Sequence, residues 1–348
     1  MGERIAVFGA GSFGTALAKL LAENGHTVTV WSIEADVVEG INREHRNPTY
    51  LSQVKLPTGL TATGELAEAL DGARYVVSVV PSHVTRVTLE KALPHLPPDV
   101  IVVNAAKGIE NDSLMTMAEV FESLLPPEFH ERIAHLSGPT FALELARRIP
   151  TAVTVASRHE PTAEKVQQLI STDYFRAYTT TDVIGVELCG SVKNVIAIAA
   201  GCADGLGFGH NTRAALITRG LAEITRLAIK LGAHPLTMAG LAGVGDLFLT
   251  CSASLSRNRT VGFELGQGKT LDDILKNLGQ VAEGVRTARS VHDLCAREQV
   301  EMPISEAVFT LLFEHKDAKD VVYELMGRRL KSEAADLMGA LRPETAPA

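Results

Sequence analysis

A glycine-rich turn near the start of the chain constrains the fold more than any other feature of the sequence. The segment Gly9-Ala-Gly-Ser-Phe-Gly14 follows an apolar run, Ile5–Phe8, and leads into a helical pattern. In a strand–turn–helix unit of this kind, Gly9 permits the tight turn, Gly11 lets a pyrophosphate approach the backbone, and Gly14 lets helix and strand pack closely. The alternative is that the glycines only form a turn between a strand and a helix. The context on both sides favours a dinucleotide-binding turn.

The segments that follow this turn support the same interpretation. The helix predicted over Thr15–Asn24 offers free N–H donors and a partial positive charge to phosphates at its amino terminus. Glu34 comes about 20 residues after Gly14, past a second apolar run, where an acidic residue commonly accepts hydrogen bonds from ribose hydroxyls. Taken alone, Glu34 is equally consistent with a solvated surface charge. Together these features predict a dinucleotide site.

The first half of the chain alternates short apolar runs with helical patterns, such as those at 85–93 and 161–170. Continuous apolar strands separated by helices predict a parallel sheet that is covered on both faces. The runs predicted as strands are Ile5–Phe8, Thr27–Trp31, Tyr75–Val80, Val100–Asn104, Ile133–Leu136 and Ala152–Ala156.

The strand-like runs disappear after about Val183, where Ala, Leu and Gly recur at helical spacing. A chain of 348 residues is too long for one comfortable core, so two domains are expected. We predict a Rossmann-type, doubly wound and mostly parallel α/β domain over 1–183, an all-α domain over 184–330, and a flexible tail over 331–348. The helices predicted in the second domain are Val186–Ala200, Thr212–Leu231, Arg257–Gly266, Val285–Glu298, Ser305–Phe313 and Ala318–Leu325.

Composition excludes several classes of partner. The formal net charge of -8 argues against nucleic acid, because proteins that bind it present a basic face. The four cysteines show no metal-ligand spacing, which predicts reduced thiols and no metal. No charge-free stretch approaches the roughly 20 residues needed to cross a bilayer, and the amino terminus resembles no signal peptide. We therefore expect a soluble, cytoplasmic protein without membrane insertion.

Two lysines stand out for carbonyl chemistry, since reduction by a nicotinamide requires a group that protonates the carbonyl oxygen. Lys107 follows the fourth predicted strand, which places it at the strand ends where ligands of open α/β sheets bind. Lys193 lies in a helix that is apolar nearly all round, where a lysine is costly unless it is paired or functional. Burial and a second cation nearby would lower its pKa toward the range useful for acid–base catalysis. The alternative is that Lys193 extends along an ordinary helix face to solvent.

Two more polar segments suit an anionic substrate. Ser256-Arg257-Asn258-Arg259 precedes a helical run, and a guanidinium beside the N–H donors of a helix start can bind a phosphate. Clusters of this kind are more often solvated loops. Asp246 is an isolated carboxylate in the apolar, glycine-rich stretch Gly243–Leu247. It can orient a lysine or a substrate hydroxyl, or it can cap a helix, and the sequence leaves these choices open.

In their order along the chain, these segments resemble bacterial NAD(P)-dependent glycerol-3-phosphate dehydrogenase. The matches cover nearly the whole chain apart from the tail, and their combination is far more specific than any one of them. The matching segments are Gly9–Leu17, Val80–His83, Ala106–Gly108, Ser137–Ala142, Val192–Ala197, Gly243–Leu247, Ser256–Arg259 and Val281–Gly284.

The resemblance implies a homodimer that reversibly reduces dihydroxyacetone phosphate to sn-glycerol 3-phosphate with NADH or NADPH, for glycerophospholipid synthesis. It implies that Lys193 donates the proton to the ketone oxygen and accepts it in the reverse direction. The substrate contacts that it implies are Lys107, Gly138, Thr140, Asp246, Ser256, Arg257 and Asn258. The implied cofactor contacts are Ser12, Phe13, Lys107, Ala142, Arg257, Val281 and Glu283, joined by Tyr50, which resembles an aromatic residue near the cofactor in relatives.

One departure from the family pattern concerns the choice of cofactor. Many bacterial relatives place Arg or His just after the second strand, which suits the 2′-phosphate of NADP. Here the segment Trp31-Ser-Ile-Glu34 offers no cation, and the Glu34 carboxylate would repel that phosphate. We therefore expect NAD to be accepted at least as well as NADP.

Two other functions are compatible with a two-domain plan of this kind. One is a reductase for a ketopantoate-like or β-hydroxyacid substrate, which carries a carboxylate in place of the phosphate. The other is a nucleotide-sensing module without chemistry, whose signature would be the loss of Lys193, Asp246 or Arg257. All three residues are present in this chain.

Overall fold

The computed structural model describes residues 2–278, 281–330 and 332–333 and divides into two compact units. The first unit comprises the described residues up to Ala106 together with Met117–Val183. The second comprises Lys107–Thr116 together with the described residues from Ile184 onward. The domain limits drawn from the sequence stay a prediction, and the units differ from them in the assignment of 107–116. The predicted tail at 331–348 lies outside the described residues except for Ser332 and Glu333.

The first unit is built on an eight-stranded sheet with strand order 3-2-1-4-5-6-7-8. All neighbouring strands are parallel except the sixth and seventh, which pair antiparallel. The Rossmann-type, mostly parallel architecture is thereby confirmed. The strands are β1 (Arg4–Phe8), β2 (Thr27–Trp31), β3 (Leu60–Thr63), β4 (Tyr75–Ser78), β5 (Ile101–Asn104), β6 (Ile133–Ser137), β7 (Thr151–Ala156) and β8 (Phe175–Thr180).

Apolar side chains cover both faces of this sheet, because successive residues of a strand point to opposite sides. In β1, Ile5 and Val7 belong to one buried cluster, and Ala6 and Phe8 to another. The helices that complete these two layers are α1 (Ser12–Glu23), α2 (Ala35–Glu39), α3 (Leu66–Leu70), α4 (Ser82–Ala92), α5 (Met117–Leu124), α6 (Ala142–Ala146) and α7 (Glu160–Ile170).

The sequence predicts neither β3 nor β8, and these are the two edges of the sheet. An edge strand has one neighbour and is less completely buried, so it lacks the continuous apolar run of a central strand. In β8, buried Phe175 and Ala177 alternate with exposed Arg176 and Tyr178. Because β3 adds a strand, Lys107 follows the fifth strand of the sheet and not the fourth.

The second unit is helical, as predicted. Its helices are α8 (Val183–Gly205), α9 (His210–Lys230), α10 (Asp246–Ser252), α11 (Arg257–Gly266), α12 (Leu271–Leu278), α13 (Glu283–Glu298), α14 (Pro303–Phe313) and α15 (Ala318–Met326). Helix α8 is long and apolar enough by composition to cross a membrane, but 89% of its most apolar stretch is buried inside the protein. That burial is typical of a core helix.

Helices α8 and α11 pack with their backbones in direct contact. Glycines four residues apart on each helix make this possible: Gly201 and Gly205 on α8, Gly262 and Gly266 on α11. A Cβ at Gly262 would lie 1.9 Å from the carbonyl oxygen of Ile198, and one at Gly201 would lie 2.0 Å from that of Arg259. These two helices therefore meet along a seam that accepts no side chain on either side, and we call it the glycine seam.

Candidate active site

The glycine-rich turn between β1 and α1 has the geometry that its sequence predicts. Gly9 has φ +99°, a conformation that costs other residues strain and that glycine adopts freely. A Cβ at Gly14 would lie 2.0 Å from the Gly9 carbonyl oxygen, so this position is glycine because helix and strand approach closely. A Cβ at Gly11, in contrast, would meet no atom of the described residues within 4 Å apart from its own chain neighbours. The protein's own packing therefore does not explain Gly11, whereas the approach of a pyrophosphate does.

The amino terminus of α1 directly follows this turn. Gly11 is its N-cap and offers no side chain to the first N–H groups, while Ser12 and Phe13 form its first two helical positions. Uncapped N–H donors at a helix start suit an anionic group. The arrangement fits the diphosphate of a dinucleotide.

Asn47, which sequence reasoning missed, ties the turn to a loop that carries Tyr50. Its amide nitrogen donates to the Ala10 carbonyl at 2.7 Å and to Thr15 Oγ1 at 2.8 Å. Its amide oxygen accepts from the backbone N–H groups of Thr49 and Tyr50. The signal was the Asn47-Pro dipeptide, since Asn commonly accepts from backbone two or three residues ahead in such turns.

Tyr50 joins the turn to Glu34. The Ser12 hydroxyl donates to the Tyr50 carbonyl at 3.1 Å, and the Tyr50 hydroxyl donates to Glu34 Oε1 at 2.7 Å. Burial and the Glu34 carboxylate raise the pKa of Tyr50 to about 12, so it remains a donor. The structure thus brings together three residues that were proposed separately as cofactor contacts.

The segment after β6 holds three more of the predicted contacts. Gly138 has φ +144°, and a Cβ there would lie 2.9 Å from the Cα of Val153, so its backbone is packed against β7. Thr140 is half-buried and donates to the Gly138 carbonyl at 3.3 Å, and Ala142 opens α6. The buried Ser137 hydroxyl has no hydrogen-bond partner within the part of the chain that the structure describes.

In the second unit, Asp246 holds two lysines. Its carboxylate accepts from Lys193 Nζ through Oδ1 and from Lys107 Nζ through Oδ2, the latter at 2.6 Å. The side chains of Lys193 and Asp246 are 7% and 2% exposed, and that of Lys107 is 21% exposed. Lys193 therefore does not extend to solvent, and Asp246 orients lysines. The three side chains carry a net positive charge when both lysines are protonated.

Electrostatics at this cluster favour a lysine that exchanges its proton near neutral pH. Burial is the main cause that lowers the pKa of Lys193 to about 8, opposed by Asp246 and reinforced by Lys107. Burial alone would raise the pKa of Asp246, but Lys107 and Lys193 outweigh it and keep that pKa below its ordinary value. Asp246 therefore remains a carboxylate while the Lys193 ammonium is poised to lose a proton.

Thr250 and Ser191 complete this cluster and were not identified from the sequence. Thr250 lies one turn after Asp246 on α10, and its hydroxyl accepts from Lys193 Nζ at 2.8 Å. The Ser191 hydroxyl accepts from the backbone N–H of Gly108 at 2.9 Å, which fixes the residue next to Lys107. The four-residue spacing of Asp246 and Thr250 was the available signal, because such residues share a helix face.

Asn258 connects α11 to two other helices. Its amide nitrogen donates to Asn194 Oδ1 on α8, and its amide oxygen accepts from the Gly284 N–H at the start of α13, both at 2.9 Å. Its contacts within the protein thus join the residue beside Lys193 to the residue beside Glu283.

The residues next to Asn258 in the sequence form the first turn of α11. Ser256 is the N-cap, and its hydroxyl accepts from the Arg259 N–H at 3.3 Å. Arg257 is the first helical residue and is exposed. Glu283 begins α13, and Val281, 39% exposed, precedes it. The Ser256–Arg259 segment is therefore the ordered start of a helix and not a solvated loop.

The predicted site residues thus form two groups. Gly9, Gly11, Ser12, Phe13, Gly14, Glu34, Tyr50, Gly138, Thr140 and Ala142 belong to the first unit, and Lys107, Lys193, Asp246, Ser256, Arg257, Asn258, Val281 and Glu283 to the second. The first group contains the glycine-rich turn and helix start that suit a dinucleotide, and the second contains the lysine–carboxylate cluster and the arginine that suit an anion with a carbonyl that needs a proton. Among the described residues, no cluster of three or more His, Cys, Asp or Glu side chains is arranged to hold a metal ion.

Comparison with known proteins gives one consistent family. The model of the NAD-dependent glycerol-3-phosphate dehydrogenase N-terminus matches residues 4–163, and the model of its C-terminus matches residues 182–323. Glycerol-3-phosphate dehydrogenase (NAD(P)+) of Myxococcus xanthus is 55% identical over 332 residues, which cover 95% of this chain and 99% of that protein. The corresponding protein of Citrifermentans bemidjiense is 53% identical, covering 96% and 99%. The crystal structure of glycerol-3-phosphate dehydrogenase from Coxiella burnetii superposes with a TM-score of 0.89 at 39% identity, covering 94% of this chain and 99% of that one.

Proposed function

The chain belongs to the NAD-dependent glycerol-3-phosphate dehydrogenase family, and we propose that Lys193 is the group that protonates the ketone of its substrate. The protein is an NAD(P)-dependent oxidoreductase that reduces dihydroxyacetone phosphate to sn-glycerol 3-phosphate in a reversible reaction. When bound, NADH or NADPH supplies the hydride to the carbonyl carbon. The residues of this chain must bind the phosphate, orient the ketone and move one proton.

The buried contact of Lys193 with Asp246 and Thr250 carries the proposal. A general acid works best when its pKa lies near the operating pH, and burial brings the pKa of Lys193 to about 8. Asp246 and Thr250 together fix the position of the ammonium. In reduction, Lys193 gives a proton to the oxygen as negative charge develops, and in oxidation the neutral amine takes it back. Lys107, on the other oxygen of Asp246, adds a second positive charge that stabilises the oxyanion.

The phosphate contacts are proposed on the same basis. Arg257 and the capped start of α11 supply a guanidinium and a helix terminus, which suit a dianion. We assign the remaining substrate contacts to Lys107, Gly138, Thr140, Asp246, Ser256 and Asn258. Asn258 makes two hydrogen bonds within the protein, so a large part of its role in this scheme is to hold α11 in place.

The cofactor contacts are assigned to the turn, the start of α1 and the loop around Tyr50. Gly9, Gly11, Ser12, Phe13 and Gly14 would lie against the diphosphate, and Glu34 would accept from the ribose. Ala142, Val281, Glu283, Lys107 and Arg257 complete the proposed set. Since Glu34 is a carboxylate and the described loop after β2 supplies no cation, NAD is proposed to be used at least as well as NADP.

Further properties of the protein are proposed from family membership and composition. The protein acts as a homodimer in the cytoplasm, without membrane insertion or a nucleic-acid partner. Its product supplies the backbone of membrane glycerophospholipids.

A spectrophotometric assay with the purified protein tests substrate and cofactor together. We expect oxidation of NADH and NADPH with dihydroxyacetone phosphate and none with ketopantoate or other 2-keto acids. Activity only with keto acids would favour the carboxylate-specific reductase. Binding of NADH without oxidation by any carbonyl compound would favour the sensing module.

A further inference from the structure

Asp204, near the carboxyl end of α8, binds two arginines at once. Arg213 on α9 donates to Oδ1 through Nη2 at 2.6 Å and Nε at 3.1 Å. Arg259 on α11 donates to Oδ2 through Nη2 at 2.6 Å and Nε at 3.0 Å. The Asp204 side chain is 5% exposed, and those of Arg213 and Arg259 are 23% and 17% exposed. Paired hydrogen bonds of this kind fix a guanidinium in both position and orientation.

This ion cluster shows where the Arg259 side chain of the segment Ser256–Arg259 is bound. Arg259 directs two donors of its guanidinium at Asp204, which commits that side chain to the protein. Arg257, two residues earlier and exposed, has its backbone in the same first turn of α11. The contacts that hold the first turn of α11 against α8 therefore also fix the position of the Arg257 backbone.

Two contacts in addition to Arg259 hold the turn against α8. Asn258 donates to Asn194, the residue after Lys193, whereas Arg259 binds Asp204, ten residues farther along α8. Between these two points the glycine seam brings the backbones together, with a Cβ at Gly201 only 2.0 Å from the Arg259 carbonyl oxygen. Two consecutive residues of α11 therefore attach it to the middle of α8, at Asn194, and to the carboxyl end of α8, at Asp204.

We propose that Asp204 is a positioning residue that, through Arg259, fixes the Arg257 guanidinium at the distance from Lys193 that a three-carbon phosphate requires. A substrate held at its phosphate by one helix and protonated at its ketone by another needs these helices in a constant relation, because small errors in position cost large factors in rate. The inference rests on the proposed function and adds to it a positioning role for Asp204 and Arg259, whose side chains bind each other.

The substitution Arg259→Lys tests the proposal, since it keeps the charge but removes the two-point contact with Asp204. We expect KM for dihydroxyacetone phosphate to rise by about tenfold, with kcat changed by less than about threefold and KM for NADH unchanged. The matched control is Arg213→Lys. It disrupts the ion pair between Arg213 and Asp204 but leaves the ion pair between Asp204 and Arg259 of α11 in place. It should lower thermal stability to a similar extent and leave KM for dihydroxyacetone phosphate within about twofold.

A double-mutant cycle separates positioning from general loosening of the fold. If Arg259 acts through Arg257, then Arg259→Lys should raise KM for dihydroxyacetone phosphate in the wild-type background but have little further effect in an Arg257→Ala background. Equal KM changes in Arg259→Lys and Arg213→Lys, or fully additive effects in the cycle, would overturn the role of Asp204.

Two more comparisons keep the test decisive. If Arg259→Lys does not fold, Asp204→Asn, which retains the size of the side chain, should show the same selective rise in KM, and an unchanged KM would overturn the proposal. The wild-type assay distinguishes this inference from the proposed function. A wild-type protein that is inactive with dihydroxyacetone phosphate contradicts the function, whereas an active wild type with an unaffected Arg259→Lys variant contradicts only the positioning role.

Discussion

The Lys193 ammonium and the Asp246 carboxylate form a buried ion pair, in which the two side chains are 7% and 2% exposed. A buried lysine with one full counter-charge would remain protonated far above neutral pH. Here Asp246 is shared with Lys107, and the effect of burial on the pKa of Lys193 outweighs that of the Asp246 charge. The pKa of Lys193 therefore falls to about 8. Burial, reinforced by the positive charge of Lys107 on the same carboxylate, is thus what makes the proton of Lys193 available for transfer.

Replacing Lys193 by Ala should abolish most of the turnover. We expect kcat for reduction of dihydroxyacetone phosphate to fall by at least about a hundredfold, because the ketone oxygen loses its proton donor. NADH binding, followed by fluorescence titration, should be retained, and Asp246 stays paired with Lys107. The control is Lys19→Ala, which removes another buried, ion-paired lysine and should affect stability more than turnover. Near-normal turnover of Lys193→Ala would exclude the proposed role.

The two directions of the reaction should respond to pH in opposite ways. Reduction requires protonated Lys193, so its kcat/KM should fall as pH rises through about 8, while oxidation of glycerol 3-phosphate should rise over the same range. Initial rates between pH 6.5 and about 10 in buffers of constant ionic strength measure this. A reduction rate that stays level across that range would contradict the assignment.

Loss of activity at high pH should not reflect unfolding caused by this residue. Because the folded-state pKa is below the ordinary lysine value of 10.5, between about 8 and 10.5 the unfolded chain binds a proton that the folded chain does not. The contribution of Lys193 to the free energy of unfolding therefore increases with pH in this window. Urea denaturation of the wild type and of Lys193→Ala at pH 8 and 10 separates the two effects.

Asp246→Asn should shift the pH profile and weaken the fold. The Asp246 charge raises the pKa of Lys193, so its removal should lower that pKa further and move the loss of reduction activity to a more acidic pH. The buried Lys193 ammonium and the half-buried Lys107 ammonium would then lack a counter-charge, at a cost of about 3–5 kcal/mol in unfolding free energy. The control Thr250→Val removes a hydrogen bond but no charge, and we expect it to leave the profile nearly in place. The same pH profile in wild type and Asp246→Asn would show that Asp246 does not set the pKa of Lys193.

Glu34→Arg should change the choice of cofactor. An arginine after β2 can bind the 2′-phosphate that the carboxylate repels, so kcat/KM with NADPH relative to NADH should rise by at least about tenfold. Tyr50→Phe is the matched control, since it removes the hydrogen bond to Glu34 and keeps the charge. That variant should retain the wild-type preference. An unaltered ratio in Glu34→Arg would place the ribose elsewhere.

Local sequence patterns were sufficient to predict the glycine-rich turn and to select Lys193 as the proposed proton donor. The spacing of Gly9, Gly11 and Gly14 predicts the turn because each glycine meets a steric requirement that arises within one strand–helix unit. Lys193 could be identified because a charge in an apolar helix is conspicuous in the sequence. The central strands were equally clear, being continuous apolar runs.

Features that depend on distant parts of the chain were not predictable in the same way. The partners of Asp246 lie 53 and 139 residues away along the chain, and nothing local specifies that one carboxylate serves both. In the sequence, Asp204 is an ordinary acidic residue near a helix end, and only the structure shows that it pairs with Arg213 and Arg259. The edge strands β3 and β8 were missed because partial burial gives them mixed patterns.

Residues 107–116 belong to the second unit although the chain before and after them belongs to the first, and this limits where the protein can be cut into two fragments. These residues leave the first unit after β5, form part of the second, and return before α5, so the chain passes from one unit to the other three times. Ile109 lies in the second unit's core, and its carbonyl accepts from the Ser290 hydroxyl. A gene cut after codon 183 would therefore yield a carboxyl-terminal fragment lacking a piece of its own interior. On the ribosome, likewise, this short piece emerges early, and Ile109 meets its hydrogen-bond partner Ser290 only after 181 further positions have been synthesised.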